Sequence, residues 1–148
     1  GGFQGAGVPR PGINPGDIPT LLHEALYKNN FPEVDSGLLS MWHFDNGSTR
    51  HIFKNNVTDF VDSARQTAAE FPTSFYGAAM RGTYEIETPI NMVGGEDGWI
   101  ATQLVRTICE DGRMRRWQWE MRRRRRPPDM GVWFVESIGS SNRRGTFD

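Results

Sequence analysis

Cysteine is nearly absent from this chain. The single Cys109 excludes an intrachain disulfide and any multi-cysteine zinc site. Lysine is almost as scarce: Lys28 and Lys54 are the only two among 17 basic residues, so the cationic chemistry is arginine chemistry. Arginine's planar fork makes two-point contacts with carboxylates and phosphates that an ammonium does not make. No apolar run approaches the roughly 20 residues that cross a bilayer, so membrane association would come through a partner or a surface patch. A phosphate-cradling glycine loop is also missing, because Gly94-Gly95-Glu96-Asp97-Gly98 leads into a strand and such a loop leads into a helix. His23, His43 and His51 are scattered, with no close pair at metal-ligand spacing. Neither a metal nor a cofactor is expected.

What is present fits one domain. At 148 residues the chain is long enough to bury a core without a disulfide or metal staple. It begins with glycine, as a chain processed or cut from a longer one does, and a removed targeting peptide is one origin of that pattern. The net charge of −1 hides an asymmetry. Residues 1–105 hold 6 basic and 12 acidic groups, a net of −6, and residues 106–148 hold 11 basic and 6 acidic groups, a net of +5.

Residues 1–16, rich in Gly and Pro, read as a flexible arm that orders only if something else holds it. A first helix is expected from Asp17, with Pro19 tolerated in its first turn and Ile18, Leu21, Leu22, Ala25 and Leu26 forming one apolar stripe. His23 falls off that stripe and is expected to face solvent. A short helix, apolar nearly all round, fits Gly37 to Phe44, and Asp45-Asn46-Gly47 reads as a turn. The helix from Val57 to Glu70, capped by Asn56 and stopped by Pro72, holds its period for four turns. After Pro72 the period changes from 3.6 to 2. Tyr84 to Met92 reads as one strand, Trp99 to Cys109 as a central strand, Glu110-Asp111-Gly112 as a hairpin turn, Arg113 to about Arg125 as a third strand and Met130 to Ile138 as a fourth. Residues 139–148 read as a polar tail. The fold class is α+β: N-terminal helices packed on a curved antiparallel sheet of four strands or more, over residues 17–138.

This order resembles the nuclear-transport-factor-2-like (cystatin-like) α+β cone. It is more closely similar to an uncharacterised branch of that superfamily found in bacteria and plastid-bearing eukaryotes. The resemblance rests on Leu21 to Asn30, on Gly37-Leu38-Leu39 leading to Trp42-His43-Phe44, and on the helix Val57 to Glu70. It continues through Arg113-Met114-Arg115-Arg116-Trp117-Gln118-Trp119-Glu120-Met121 and Gly131 to Ile138. It implies a cone-shaped domain whose interior, if open, would be lined by Trp42, Phe60, Tyr84, Trp117 and Trp119. The superfamily holds isomerases and dehydratases beside non-catalytic assembly modules, so fold alone does not choose.

An enzyme of this fold would place an Asp or His base inside the cone. The candidates are His23, His43, His51, Asp45, Asp59, Asp62 and Tyr84, and none matches a family catalytic set. A cone filled by Trp42, Phe60, Phe71, Trp117 and Trp119 would count against catalysis. The arginine-rich hairpin invites a nucleic-acid reading, but alternation puts Trp117, Trp119 and Met121 on the core side and Arg116, Arg122, Arg124 and Arg126 on the other. Inward tryptophans cannot stack an external base, and the rest of the chain is acidic. The arginine face instead suits carboxylates of other protein subunits. The expectation is a non-catalytic accessory or assembly subunit of a larger complex. The resemblance points to a photosynthetic membrane complex of the chloroplast; the alternatives are a small-molecule-binding or isomerase/dehydratase-type enzyme of this fold and a nucleic-acid-binding module, and for location the cytoplasm.

Overall fold

The computed structural model describes residues 7–141. Among them are five α-helices followed by an open antiparallel sheet of five strands, so the class is α+β. The helices are α1 (Ile18–Tyr27), α2 (Ser36–Phe44), α3 (Ser48–Ile52), α4 (Val57–Glu70) and α5 (Phe75–Arg81). The strands are β1 (Thr83–Ile86), β2 (Asn91–Val93), β3 (Ile100–Ile108), β4 (Met114–Arg123) and β5 (Trp133–Ser140). A single 3-10 turn, Pro15–Asp17, leads into α1.

β3 is the central strand. β1 and β2 pair with one of its edges in succession, and β4 and then β5 follow on the other. The β3–β4 hairpin turns at Gly112, whose φ of 88° only glycine adopts without strain. The single strand expected over Tyr84 to Met92 is two strands, with Pro89 between them. Proline cannot donate to the ladder. Thr88 supplies side-chain substitutes there: its hydroxyl accepts the Leu104 N–H at 3.1 Å, and its carbonyl accepts the Gln103 amide at 3.1 Å.

The helices cover the sheet face that carries Ala101, Val105, Trp117, Trp119 and Met121. α4 begins and ends where the sequence places it, with the Asn56 side chain accepting the Asp59 N–H at 3.0 Å. Two further helices were not expected. α3 follows the Asp45-Asn46-Gly47 turn, and α5 restarts the helical path after Pro72, capped by Ser74, whose hydroxyl accepts the Gly77 N–H at 3.0 Å.

α1 and α2 cross in close contact. The Asn29 carbonyl accepts the Gly37 N–H at 3.0 Å, and the Asn29 side chain accepts the Leu38 N–H at 2.9 Å while donating to Asp35 at 2.9 Å. The asparagine-rich end of α1 therefore satisfies the first turn of α2. Of the arm, residues 1–6 lie outside the described residues. The part from 7 to 16 finds its support within this chain: Pro15 is buried, Ile13 packs against the core, and Gly16 lies against Ile90. At the other end, β5 runs through Gly139 and Ser140, and residues 142–148 of the expected tail lie outside the described residues.

A Cβ on Gly37 would stand 2.2 Å from the Ala25 carbonyl oxygen, whereas one on Gly139 meets nothing within 4 Å. Gly37→Ala is expected to cost about 2–3 kcal/mol or more through overpacking of the helix crossing, and Gly139→Ala less than about 0.5 kcal/mol. Urea unfolding of both variants checks this; equal midpoint shifts would contradict the crossing.

Candidate functional site

The space between helices and sheet is occupied by a connected set of aromatic rings. Phe75 of α5 meets Trp117 at 5.4 Å, Trp119 at 5.8 Å and Tyr76 at 5.3 Å between ring centres. Phe60 of α4 meets Trp42 at 5.4 Å, Tyr76 at 5.9 Å and Phe53 at 5.7 Å. Four of the expected lining residues, Trp42, Phe60, Trp117 and Trp119, are buried here, and Tyr84 is half-buried at the edge. The fifth expected filler, Phe71, is not: as the residue that ends α4 it is 58% exposed, and the partly buried Phe75 packs against the core instead. The Trp117 indole donates to Thr107 at 2.9 Å.

His23 overturns the expectation that it faces solvent: it is 0% exposed. The buried stripe of α1 is Ile18, Pro19, Leu22, His23 and Leu26, rotated from the expected one because α5 and β1 close over its far side. The imidazole stacks on Tyr84 at 4.9 Å and touches Phe75 at 5.7 Å and Trp119 at 5.4 Å. Neither of its nitrogens has a hydrogen-bond partner among the described residues, nor do the Trp119 indole nitrogen and the Gln103 side-chain oxygen. Gln103 and Trp119 are directly paired across β3 and β4, and the Trp119 ring lies beside that of His23, so the three residues neighbour one another in the core. Burial lowers the His23 pKa from 6.5 to about 4. Tyr84 donates to Glu24 at 2.8 Å, and burial, with that bond and the Glu24 charge, raises its pKa to about 12. The sequence signal for His23 was its spacing from Pro19 and Leu26, four and three residues away on one helical face.

The other candidate acids and bases are spread out. The Asp45 carboxylate is buried and accepts the N–H groups of Gly47 at 2.7 Å and Thr49 at 3.1 Å, which is a helix-capping role for α3. Arg50 donates to the Trp42 carbonyl at 2.8 Å and the His43 carbonyl at 3.2 Å, closing the C-terminus of α2. His43 itself is exposed, its pKa lowered first by partial burial and then by the Arg50 charge. His51, Asp59 and Asp62 are exposed. Among the described residues no group of three or more potential metal ligands converges.

The expected division of β4 holds through Arg122. Trp117, Trp119 and Met121 are buried under the helices, and Arg116, Gln118, Glu120 and Arg122 face the other way. That open face is a lattice of in-chain ion pairs: Arg116 with Glu87 at 2.8 Å, Arg122 with Glu120 at 2.9 Å, and Arg106 with Glu85. The Arg116 and Glu87 side chains are only 18% and 24% exposed. Arg124 and Arg126 lie beyond β4. Arg124 donates to the Asn46 side chain at 2.7 Å and stands 4.0 Å over Phe134. Arg126 is exposed. A groove of about 710 Å³ opens separately between α1 and α2, lined by Leu21, Ala25, Phe31 and Leu39 and bordered by Val8.

No family model, curated protein or solved structure matches the chain. No helix among the described residues is long and apolar enough to cross a membrane.

The buried imidazole sets a pH dependence. The unfolded chain takes a proton at His23 below about pH 6.5, and the folded chain does so only near 4, so stability falls as pH drops through that window. Between pH 7.5 and 5 the loss from this group is roughly 2 kcal/mol. Urea unfolding at the two pH values checks it. His23→Phe, which keeps a ring in place, should remove that part of the slope, and an unchanged slope would contradict the assignment.

Proposed function

We propose that the chain is a non-catalytic accessory subunit that assembles with other proteins into a larger complex, built on a nuclear-transport-factor-2-like cone. The observation that carries this reading is the filled interior: Phe75, Trp42, Phe60, Trp117 and Trp119 pack on one another where a cone enzyme keeps its substrate. The dispersal of Asp45, Asp59, Asp62, His43 and His51 over separate structural roles and the surface supports it further. Recognition then belongs to the outer surface, where arginines and aromatics, the side chains that dominate interface energetics, lie together beyond β4. The resemblance to a branch found in plastid-bearing eukaryotes favours a photosynthetic membrane complex of the chloroplast as the setting.

A second reading, small-molecule binding inside the domain, is favoured by one observation: the polar atoms of His23, Gln103 and Trp119 that have no hydrogen-bond partner among the described residues. A ligand that used them would have to displace the aromatic packing around Phe75.

Affinity capture of the tagged chain from its native cell extract, split into organelle-membrane and soluble fractions, tests the first reading. The expected result is stoichiometric co-purification with other subunits in the membrane fraction, with cross-links on the outer surface. A soluble monomer without a stoichiometric partner contradicts it.

A further inference from the structure

Arg122, Arg123, Arg124, Arg125 and Arg126 run from the end of β4 into the loop toward β5. Residues 121–134 hold five arginines and one acid, Asp129, a net charge of +4. The ladder holds this run in place as far as Arg124. The Arg123 N–H donates to the Trp99 carbonyl at 2.9 Å, the Arg124 N–H to the Val132 carbonyl at 2.9 Å, and the Gly131 N–H to the Arg124 carbonyl at 2.8 Å. Alternation therefore separates odd from even members.

The even members Arg122 and Arg124 have acceptors within the chain: Glu120 at 2.9 Å for the first, and Asn46 at 2.7 Å with Asp129 at 3.8 Å for the second. Arg123 and Arg125 lie on indole rings instead, and the Arg123 Nε–H also donates to the Gly131 carbonyl at 3.4 Å. The Arg123 guanidinium stands 5.1 Å from the Trp99 ring centre and 6.0 Å from that of Trp133, and the Arg125 guanidinium 4.9 Å from Trp99. Among the described residues, no carboxylate forms an ion pair with Arg123, Arg125 or Arg126. Arg125 and Arg126 are exposed. A guanidinium lying on an indole keeps its N–H edges free and has already lost part of its rotamer freedom before a ligand arrives.

We propose that this ledge, Trp99 with Arg123, Arg125 and Arg126, docks a short acidic segment of a partner protein, whose carboxylates take the free guanidinium edges. The proposal rests on the accessory-subunit reading and names the partner's chemistry. Charge complementarity selects an anion, because three cations that follow one another along the chain have no carboxylate partner among the described residues. The extent of the patch selects a short one. Glu96 and Asp97 stand just ahead of Trp99 in the chain, and residues 1–105 carry a net charge of −6, so a long polyanion leaving the ledge meets repulsion. A peptide of a few acidic residues does not reach that far. The ledge differs from the open sheet face, whose Arg116 and Arg122 already have carboxylate partners in the chain.

The test is anisotropy of a fluorescein-labelled hexaglutamate peptide titrated with the full chain at low salt. Saturable, salt-sensitive binding is expected. Arg125→Gln/Arg126→Gln should weaken it about tenfold, the loss of about 1.4 kcal/mol of charge-assisted contact. Trp99→Leu should weaken it without a change of charge, because the guanidiniums lose their support. Arg113→Gln, at the opposite end of the sheet, should leave it within about twofold. Melting curves of the variants, matching the wild type, keep folding out of the comparison. The proposal is overturned if the wild type shows no saturable binding, or if Arg113→Gln costs as much as the double variant. It is equally overturned if oligothymidylate or phosphatidylglycerol vesicles bind more tightly than the peptide. Capture from native extract separates this proposal from the reading beneath it. If wild type and double variant capture the same subunits equally, the ledge fails and the accessory reading stands. If the wild type captures none, the accessory reading fails, whatever the peptide does.

Discussion

The ring of Phe75 joins the two layers of this protein. It meets His23 of α1 at 5.7 Å, Trp117 and Trp119 of β4 at 5.4 and 5.8 Å, and Tyr76 beside it at 5.3 Å. Two tryptophans on one strand present a large apolar surface that a sheet cannot leave in water, and offset or edge-on packing of rings is the arrangement their quadrupoles favour. α5 exists to deliver that ring. It is only seven residues long, starts from the Ser74 cap, and buries the small residues Gly77, Ala78 and Ala79 so that Phe75 can come close. A Cβ on Gly77 would stand 2.3 Å from the Phe71 carbonyl oxygen, so the turn from α4 into α5 depends on a residue without a side chain.

The consequences reach outward from that packing. Because aromatic rings pack around it, His23 is held neutral with no partner for its nitrogens among the described residues, and Tyr84 turns its hydroxyl to Glu24 at the surface. Because β4 gives its odd residues to the core, Arg116 and Arg122 are forced onto the open face, where Glu87 and Glu120 answer them. At Arg123, the last residue of the strand, that arrangement stops. Arg123 and Arg125 share the Trp99 ring and no carboxylate answers them among the described residues, which concentrates unbalanced positive charge at one end of the sheet. The same alternation thus builds the core and sets the surface charge.

Periodicity made much of this legible in the sequence. α4 was readable to its boundaries because Asn56 caps it, Pro72 stops it and its apolar residues keep the helical period over four turns. The separation of Trp117 and Trp119 from Arg116 and Arg122 followed from period 2 alone. α5 was not legible because Phe75 to Met80 carries no polar residue to mark an exposed side, and it begins so soon after a helix-stopping proline. α3 was hidden because its cap comes from the buried Asp45 side chain, in a turn that reads as a plain loop. The break at Pro89 is repaired by Thr88, an exchange that depends on where β3 lies in space. A single apolar stripe misplaces His23, because α1 is covered on two sides. The arginines at the sheet end that meet no carboxylate among the described residues have no sequence signal apart from the charge run, since tertiary neighbours decide which members find one.

The central claim is that the aromatic interior is closed and that the accessible aromatic chemistry lies at the sheet end. Hydrogen exchange of the five tryptophan indole N–H groups, resolved by NMR, tests it most directly. The account expects Trp119, 0% exposed, and Trp117, bonded to Thr107, to exchange only through global unfolding, while Trp99 exchanges rapidly. Fast exchange at Trp119 under conditions where the fold stays intact would show that the interior opens to solvent, and would contradict it.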